Sequence, residues 1–208
     1  MNVEIVAATP YPIDAISLAA GTCYGKSDYP KKRALNCYKS GHMSVFEHAS
    51  VTFKASGISR SCSHQLVRHR IASFSQESQR YCKVDVDGHD WYVKPPSFDA
   101  VESADSLEVL GMDKDEFFYA CIREAEANYR DALKVGIKPE DARYLLPEAC
   151  KTNIVVTMNA RELFHFLDLR QGNGAQWEIH ELADEVERAV ADMGGQWCEL
   201  MALRTERE

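Results

Sequence analysis

The chain has 208 residues, 45% of them apolar and 27% charged, with 24 Lys and Arg against 32 Asp and Glu for a net charge of −8. This is the composition of a folded globular protein, long enough to bury a core without disulfide or metal help. It excludes general disorder, a membrane-spanning segment of about twenty apolar residues and bulk, sequence-independent binding to nucleic acid.

Met1-Asn2-Val3-Glu4-Ile5 has neither the basic start nor the apolar stretch of a secretion signal, so a cytoplasmic protein is expected. Cysteines 23, 37, 62, 82, 121, 150 and 198 are odd in number and scattered. They are expected to be reduced and mostly buried, because free cysteine packs as a small hydrophobe.

In chain order, Asp14–Ala20 and Pro30–Ser40 are predicted as short helices, the second stopped by Gly41 in the left-handed conformation. His42 and His48 flank Met43-Ser44-Val45-Phe46-Glu47. With no further ligand at a metal-binding spacing, structural histidines and no metal are expected. Val51 and Phe53 alternate with Thr52 and Lys54, which predicts a strand over Ser50–Ala55. A helix over Ser59–Arg70 would deliver a basic end, and extended segments are expected between Tyr81 and Tyr92. Asp85–Asp113, with Gly88, Pro95, Pro96 and Gly111, is the expected long loop within a single domain.

Asp113 is a suitable N-cap for a helix reaching Lys134, with Phe117, Cys121, Ala125 and Tyr129 at i+4 and Gly136 beyond. Pro139 opens another helix to Leu145, ended by Pro147. Ile154–Met158 is β-branched and predicts a strand. Asn159 then caps a helix over Ala160–Arg170, on which Leu163, Phe166, Leu167 and Arg170 share one arc and Arg161, His165 and Leu169 another. An arginine in line with an apolar stripe is not a plain surface charge. Trp177–Leu203 carries a long apolar stripe that Gly194-Gly195 should weaken or kink. Its acidic side, Glu178, Glu181 and Glu185, is expected to face solvent.

Charge is unevenly distributed. Lys54, Arg60, Arg68, Arg70, Arg80 and Lys83 face one acid, Glu77, whereas the segment from Gln176 onward is strongly acidic. A basic island in an acidic chain suggests a small anionic ligand held locally. Its dense part, Gln65-Leu66-Val67-Arg68-His69-Arg70-Ile71-Ala72-Ser73-Phe74-Ser75-Gln76-Glu77-Ser78-Gln79-Arg80-Tyr81, mixes guanidinium forks, amides and hydroxyls, as phosphate recognition requires. The same residues are also compatible with an exposed basic helix end making surface ion pairs. Glycine-rich dinucleotide and P-loop fingerprints are absent.

Arg68-His69-Arg70, then Ser73 and Ser78-Gln79-Arg80-Tyr81, resembles the signature of the flavin-dependent thymidylate synthases, the ThyX family. Gly41-His42-Met43-Ser44-Val45-Phe46-Glu47-His48 resembles that family's glycine-histidine segment, and Ala142-Arg143-Tyr144-Leu145-Leu146-Pro147 its Ala-Arg-x-x-Leu-Pro. Asn159-Ala160-Arg161-Glu162-Leu163, Phe166-Leu167-Asp168-Leu169-Arg170 and Ala175-Gln176-Trp177-Glu178-Ile179 follow its C-terminal pattern in order.

The resemblance implies an α/β fold, a central sheet flanked by helices, assembled as a homotetramer. It implies conversion of dUMP to dTMP with methylenetetrahydrofolate as carbon donor, NADPH as reductant and FAD as the carrier between them. Position by position, His42, Ser44, Arg68, His69, Arg70, Gln76, Asn159, Arg161 and His165 would hold FAD. Gln65, Arg68, Gln76, Glu77, Ser78, Gln79, Arg80, Arg143 and Arg170 would hold dUMP, and Arg170 would activate the uracil electrostatically. No cysteine follows a proline, so the chain lacks the Pro-Cys context of cysteine-dependent thymidylate synthases. The chain departs from the family pattern at Gln76, where an acid is common, and at His165, where asparagine is common. Small-molecule partners are expected, with neither nucleic acid nor membrane among them. The competing reading is a non-catalytic nucleotide- or RNA-binding protein that uses the basic 60–83 segment.

Overall fold

A computed structural model of the chain describes residues 1–88, 90–99 and 109–205. They form a mixed α/β structure with a four-stranded sheet in the order β1-β2-β4-β3, where β1 is Asn2–Ala8, β2 Ser50–Ser59, β3 Ala72–Gln76 and β4 Lys151–Asn159. β1 pairs antiparallel with β2, and β3 antiparallel with β4 in the register Ala72↔Met158 to Gln76↔Ile154. Side chains alternate across a pleated strand. Val51, Phe53 and Ala55 of β2, and Ile154, Val156 and Met158 of β4, are accordingly buried on the helix-covered side.

The helices are α1 (Pro12–Thr22), α2 (Lys31–Lys39), α3 (Arg60–Leu66), α4 (Lys114–Lys134), α5 (Pro139–Ala142), α6 (Ala160–Arg170), α7 (Trp177–Asp192) and α8 (Gly195–Thr205). The backbone groups into two compact units. One comprises residues 1–56, 62–76 and 153 onward, the other residues 57–61 and 77–152.

In the first unit α7 packs on β1 and α6, and α1 on α2 and α8. Tyr38, Phe46 and Phe164 form an aromatic cluster with ring centroids 5.5–5.9 Å apart. α1 begins at Pro12 and has no capping side chain of its own at Tyr11. Gln196 Oε1 of α8 instead accepts from the backbone N–H groups of Ile13 (2.9 Å) and Asp14 (3.1 Å), satisfying donors that a helix start leaves open. The predicted stripe of the last segment divides where expected. Gly194 and Gly195 have φ of +69° and +56°, conformations that only glycine adopts readily, and they separate α7 from α8.

The second unit is built on α4, whose first turn is capped by Asp113 accepting from Glu116 N–H at 2.8 Å. Its core holds Val86, Trp91, Phe118, Ile122, Tyr129, Ala132, Ala142 and Cys150.

Several expectations need correction. The buried face of α4 is Phe118, Ile122, Tyr129 and Ala132, and Cys121 is exposed. The expected stripe was therefore one position off at Phe117 and Cys121, where Phe118 and Ile122 take the buried role, whereas Tyr129 is buried as expected and Ala125 packs against the core. Between Tyr81 and Tyr92 there is only an isolated bridge, Tyr92↔Cys150, among the described residues. The chain there turns around Tyr129, whose hydroxyl accepts from Val84 N–H at 3.3 Å. The expected loop over Asp85–Asp113 falls partly outside the described residues. Strands β1 and β3 were not predicted. The segment expected to be helical to Arg70 ends at Leu66. Cys62 and Cys150 alone are buried, while Cys23, Cys82, Cys121 and Cys198 are exposed. Glu178, expected on a solvated face, is 2% exposed, because the first turn of α7 lies inside the fold.

Candidate active site

The β4–α6 junction organises the first cluster of predicted residues. Asn159 leaves β4 in an extended conformation and its side chain accepts from Glu162 N–H at 2.9 Å, starting α6. Leu163, Phe166 and Leu167 anchor one face of α6 in the core, which leaves Arg161 and His165 exposed together. Glu162 at the third helical position is 7% exposed. In a capping box it would turn back to the N-cap; here it turns to His69.

His69 is 3% exposed and follows α3 in the Arg68-His69-Arg70 turn. Its Nδ1 lies 3.1 Å from Glu162 Oε1, and its Nε2 lies 3.0 Å from Arg170 Nε. A guanidinium only donates, so Nε2 is the acceptor and the ring proton sits on Nδ1, donated to the Glu162 carboxylate. Burial pushes the His69 pKa below the ordinary histidine value, and the Arg170 charge acts in the same sense. Together they outweigh the hydrogen bond to Glu162, which acts oppositely. Phe166 packs edge-on at 5.1 Å and His165 at 5.6 Å. Arg170 also donates from Nη2 to the backbone carbonyl of Gln65 at 3.2 Å. Burial lowers its pKa from the usual arginine value, and the group stays cationic. Among the described residues, its Nη1 has no hydrogen-bond partner in the chain.

Beside this cluster is a pocket of about 500 Å³, lined by Tyr38, Met43, Ile71, Asn159, Arg161 and His165 among others, within the ~300–1,000 Å³ usual for small-molecule sites. Arg161 pairs with Glu47 at 2.6 Å, both half exposed. The apolar side chains Met43, Ile71 and Phe164 suit a flat ring system, and the polar lining mixes Arg161 and His165 with the carboxylates of Glu47, Glu162 and Asp168. A metal ion fits less well. Ligating atoms of His69, Glu162 and His165 lie within 4.8 Å of one another, but both His69 nitrogens are engaged in hydrogen bonds.

The remaining predicted residues of the first unit are His42 and Ser44, exposed at the 3-10 turn Met43–His48, and Arg68 and Arg70, exposed on either side of His69. Gln76 Nε2 donates to Ser63 Oγ at 2.9 Å. In the second unit Ser78 Oγ accepts from Arg80 N–H at 3.3 Å and Gln79 Nε2 donates to Cys150 Sγ at 3.3 Å. Glu77 is exposed, and its carbonyl accepts from Arg60 at 3.3 Å. Glu140 brings Arg80 and Arg143 together. Its carboxylate pairs with Arg80 at 3.3 Å and its carbonyl accepts from Arg143 Nε at 3.0 Å. Each guanidinium also lies over the adjacent tyrosine ring, Tyr81 or Tyr144. The predicted residues therefore form two clusters, one in each unit.

Glu162 was missed as a site residue. Its signal is the acid three positions after an Asn cap, which local reading assigns to the cap.

The family profile for Thy1, thymidylate synthase complementing protein, matches residues 4–193. A flavin-dependent thymidylate synthase of Geobacter sulfurreducens is 42% identical over 201 residues, covering 91% of this chain and 82% of the relative. The chain belongs to the flavin-dependent thymidylate synthase family. A member from Pyrococcus abyssi is 38% identical, covering 92% of this chain and 79% of its own. Among solved structures, the ThyX of Helicobacter pylori complexed with FAD and dUMP has a TM-score of 0.71 at 30% identity, covering 95% of this chain and 97% of that one.

The two buried thiols are not poised as nucleophiles. Burial pushes the Cys150 thiol up to about 11 and raises Cys62 further. Neither is a thiolate at neutral pH, and a thiol is a weak nucleophile.

Proposed function

We propose that this chain makes dTMP from dUMP as a flavin-dependent thymidylate synthase, with methylenetetrahydrofolate as carbon donor and NADPH as reductant. The observation that carries the reading is Arg170, a partly buried guanidinium held on two sides by His69 and the Gln65 carbonyl. A preorganised cation in a partly desolvated setting stabilises negative charge developing on the pyrimidine. The relative from Helicobacter pylori, complexed with FAD and dUMP, supports the same two ligands here.

FAD, when bound, supplies hydride transfer between reductant and the transferred carbon. Arg161, His165 and Asn159, with His42, Ser44, Arg68, His69, Arg70 and Gln76, would hold it. The structure supports a narrower part for two of them. Asn159 Oδ1 is occupied as a cap and its amide N–H groups remain to donate. His69, with both nitrogens engaged, offers only its ring edge. Gln65, Arg68, Gln76, Glu77, Ser78, Gln79, Arg80, Arg143 and Arg170 would hold dUMP. Arg80 and Arg143, drawn together by Glu140, suit its phosphate by charge and by their planar donor forks. Orientation and charge then account for the protein's share, without a side-chain nucleophile.

We read the chain as one catalytic domain, since the family match runs continuously through both units. We place it in the cytoplasm as a homotetramer. Among the described residues no helix is long and apolar enough to cross a membrane.

The test is direct. The purified protein, reconstituted with FAD, should be yellow and release tritium from C5-labelled dUMP only when NADPH and methylenetetrahydrofolate are present. A protein that takes up no flavin and binds RNA in a strongly salt-dependent way would replace this reading with the basic 60–83 segment as a nucleic-acid surface. Flavin uptake without a spectral response to dUMP would point to another substrate.

A further inference from the structure

Glu162 lies outside the residues that touch either ligand in the reading above, yet it is a buried acid bonded to the buried histidine that holds Arg170. Its place at the start of α6 does not explain it. Asn159 already caps that helix, and the Glu162 carboxylate is turned inward to a partner 93 residues away. We propose that Glu162 is a positioning residue for dTMP formation: it keeps the His69 proton on Nδ1, so that the bare Nε2 holds Arg170 by its Nε in the orientation that serves the pyrimidine. The proposal rests on the thymidylate synthase reading.

Donors and acceptors decide which tautomer can hold Arg170. A neutral imidazole has one N–H and one lone pair. Arg170 Nε can only donate, so it is held only by the tautomer bare at Nε2. With Glu162 removed, Nδ1–H in this setting loses its acceptor, and a buried donor without one is costly. The carboxylate no longer holds the ring proton on Nδ1, and the tautomer with its proton on Nε2 becomes populated. That places two N–H groups face to face across 3.0 Å, and Arg170 is displaced.

Protonation of His69 has the same outcome, because the imidazolium donates from both nitrogens and repels the guanidinium. The charged and titratable groups facing His69 are Glu162 and His165 from α6 and Arg170 at its end, with Phe166 as the apolar wall. The arrangement follows the general rule that a functional histidine is oriented by the carboxylate on its other nitrogen.

The test uses the FAD- and dUMP-loaded protein labelled with ¹⁵N in its imidazoles, His69 being assigned by comparison with His69→Gln. Wild type should show a protonated Nδ1 and a bare Nε2 at neutral pH. Glu162→Ala should move part of the proton population to Nε2 and lower kcat about ten- to a hundredfold, the scale for losing such an orienting partner, with KM for dUMP within about threefold. Glu162→Gln retains a carbonyl acceptor, so it should keep the wild-type tautomer and a kcat within about fivefold, by the same reading of kcat against KM.

A wild-type His69 protonated on Nε2 overturns the proposal, and that measurement decides the matter even where Glu162→Ala fails to fold. A Glu162→Ala enzyme with wild-type kcat overturns it too, as does equal loss in the Gln and Ala variants. A flavin-loaded wild type that makes no dTMP sinks the functional reading itself, whereas an active enzyme with the wrong His69 tautomer sinks this proposal alone.

Discussion

Arg170 donates from Nε to Nε2 of His69 at 3.0 Å, joining residues 101 positions apart. The contact uses the planar donor fork of arginine, since Nη2 reaches the Gln65 carbonyl at the same time. Lysine has the charge but not the fork. Arg170→Ala should fold and lose dTMP formation by about a hundredfold or more, on the scale of one lost transition-state donor. Arg170→Lys should recover only a small part of that loss. Tritium release from C5-labelled dUMP, with the thermal melt as a control on folding, measures both.

The depressed pKa of His69 fixes the sign of one pH effect. The unfolded chain takes up the proton near the ordinary value of about 6.5, while the folded chain does so only at lower pH. Between those two values the unfolded state carries more protons, so stability falls as the pH falls. His69→Gln removes that contribution. Urea denaturation at pH 7.5 and 5.5 should show wild type losing more stability than the variant on acidification, by at most about 1.4 kcal/mol per pH unit for one proton. An equal loss in both proteins would contradict the buried, neutral imidazole.

Thiol chemistry should separate the cysteines by place in the fold. Cys23, Cys82, Cys121 and Cys198 are exposed, whereas Cys62 and Cys150 are buried with pKa values pushed upward by burial. An aromatic disulfide reagent at pH 8 should modify the exposed group first and reach Cys62 and Cys150 only on unfolding, because the thiolate is the reactive form. Mass spectrometry of partly modified protein locates the adducts. Early labelling of Cys150 would contradict its burial.

Gln196 should prove more important to stability than its polar side chain suggests. Its carbonyl oxygen receives two N–H groups at the start of α1. Gln196→Ala should cost about 1–2 kcal/mol, the upper part of the range for a lost cap, read from the urea midpoint at unchanged slope. Tyr11→Ser, which puts a capping hydroxyl at the local position, should recover part of the loss.

Local interactions were legible in the sequence because they reach no further than a turn or two. The Asp113 and Asn159 caps, the glycine break between α7 and α8 and the buried stripe of α6 all follow from neighbours in the chain. The signature residues were legible as a resemblance, because they follow the pattern of the flavin-dependent thymidylate synthases in order along the chain.

Other features depend on groups brought together from far along the chain. β3 carries serines and a glutamine and becomes a strand because β4 offers it a ladder. Glu178 reads as a solvated acid and is buried, since α7 enters the fold at its first turn. Glu162 reads as half of a cap and instead fixes a histidine tautomer.

By itself, then, the sequence determined the periodic helices, the capped and glycine-stopped ends among them and the stock of cationic and amide groups available for a ligand. Tertiary structure alone decided which nitrogen of His69 is protonated, what holds Arg170 and what caps α1. The reason is physical. Helix periodicity and capping are local, whereas a hydrogen bond between buried side chains needs both partners at one point in space, and that is settled only by how the sheet and helices pack.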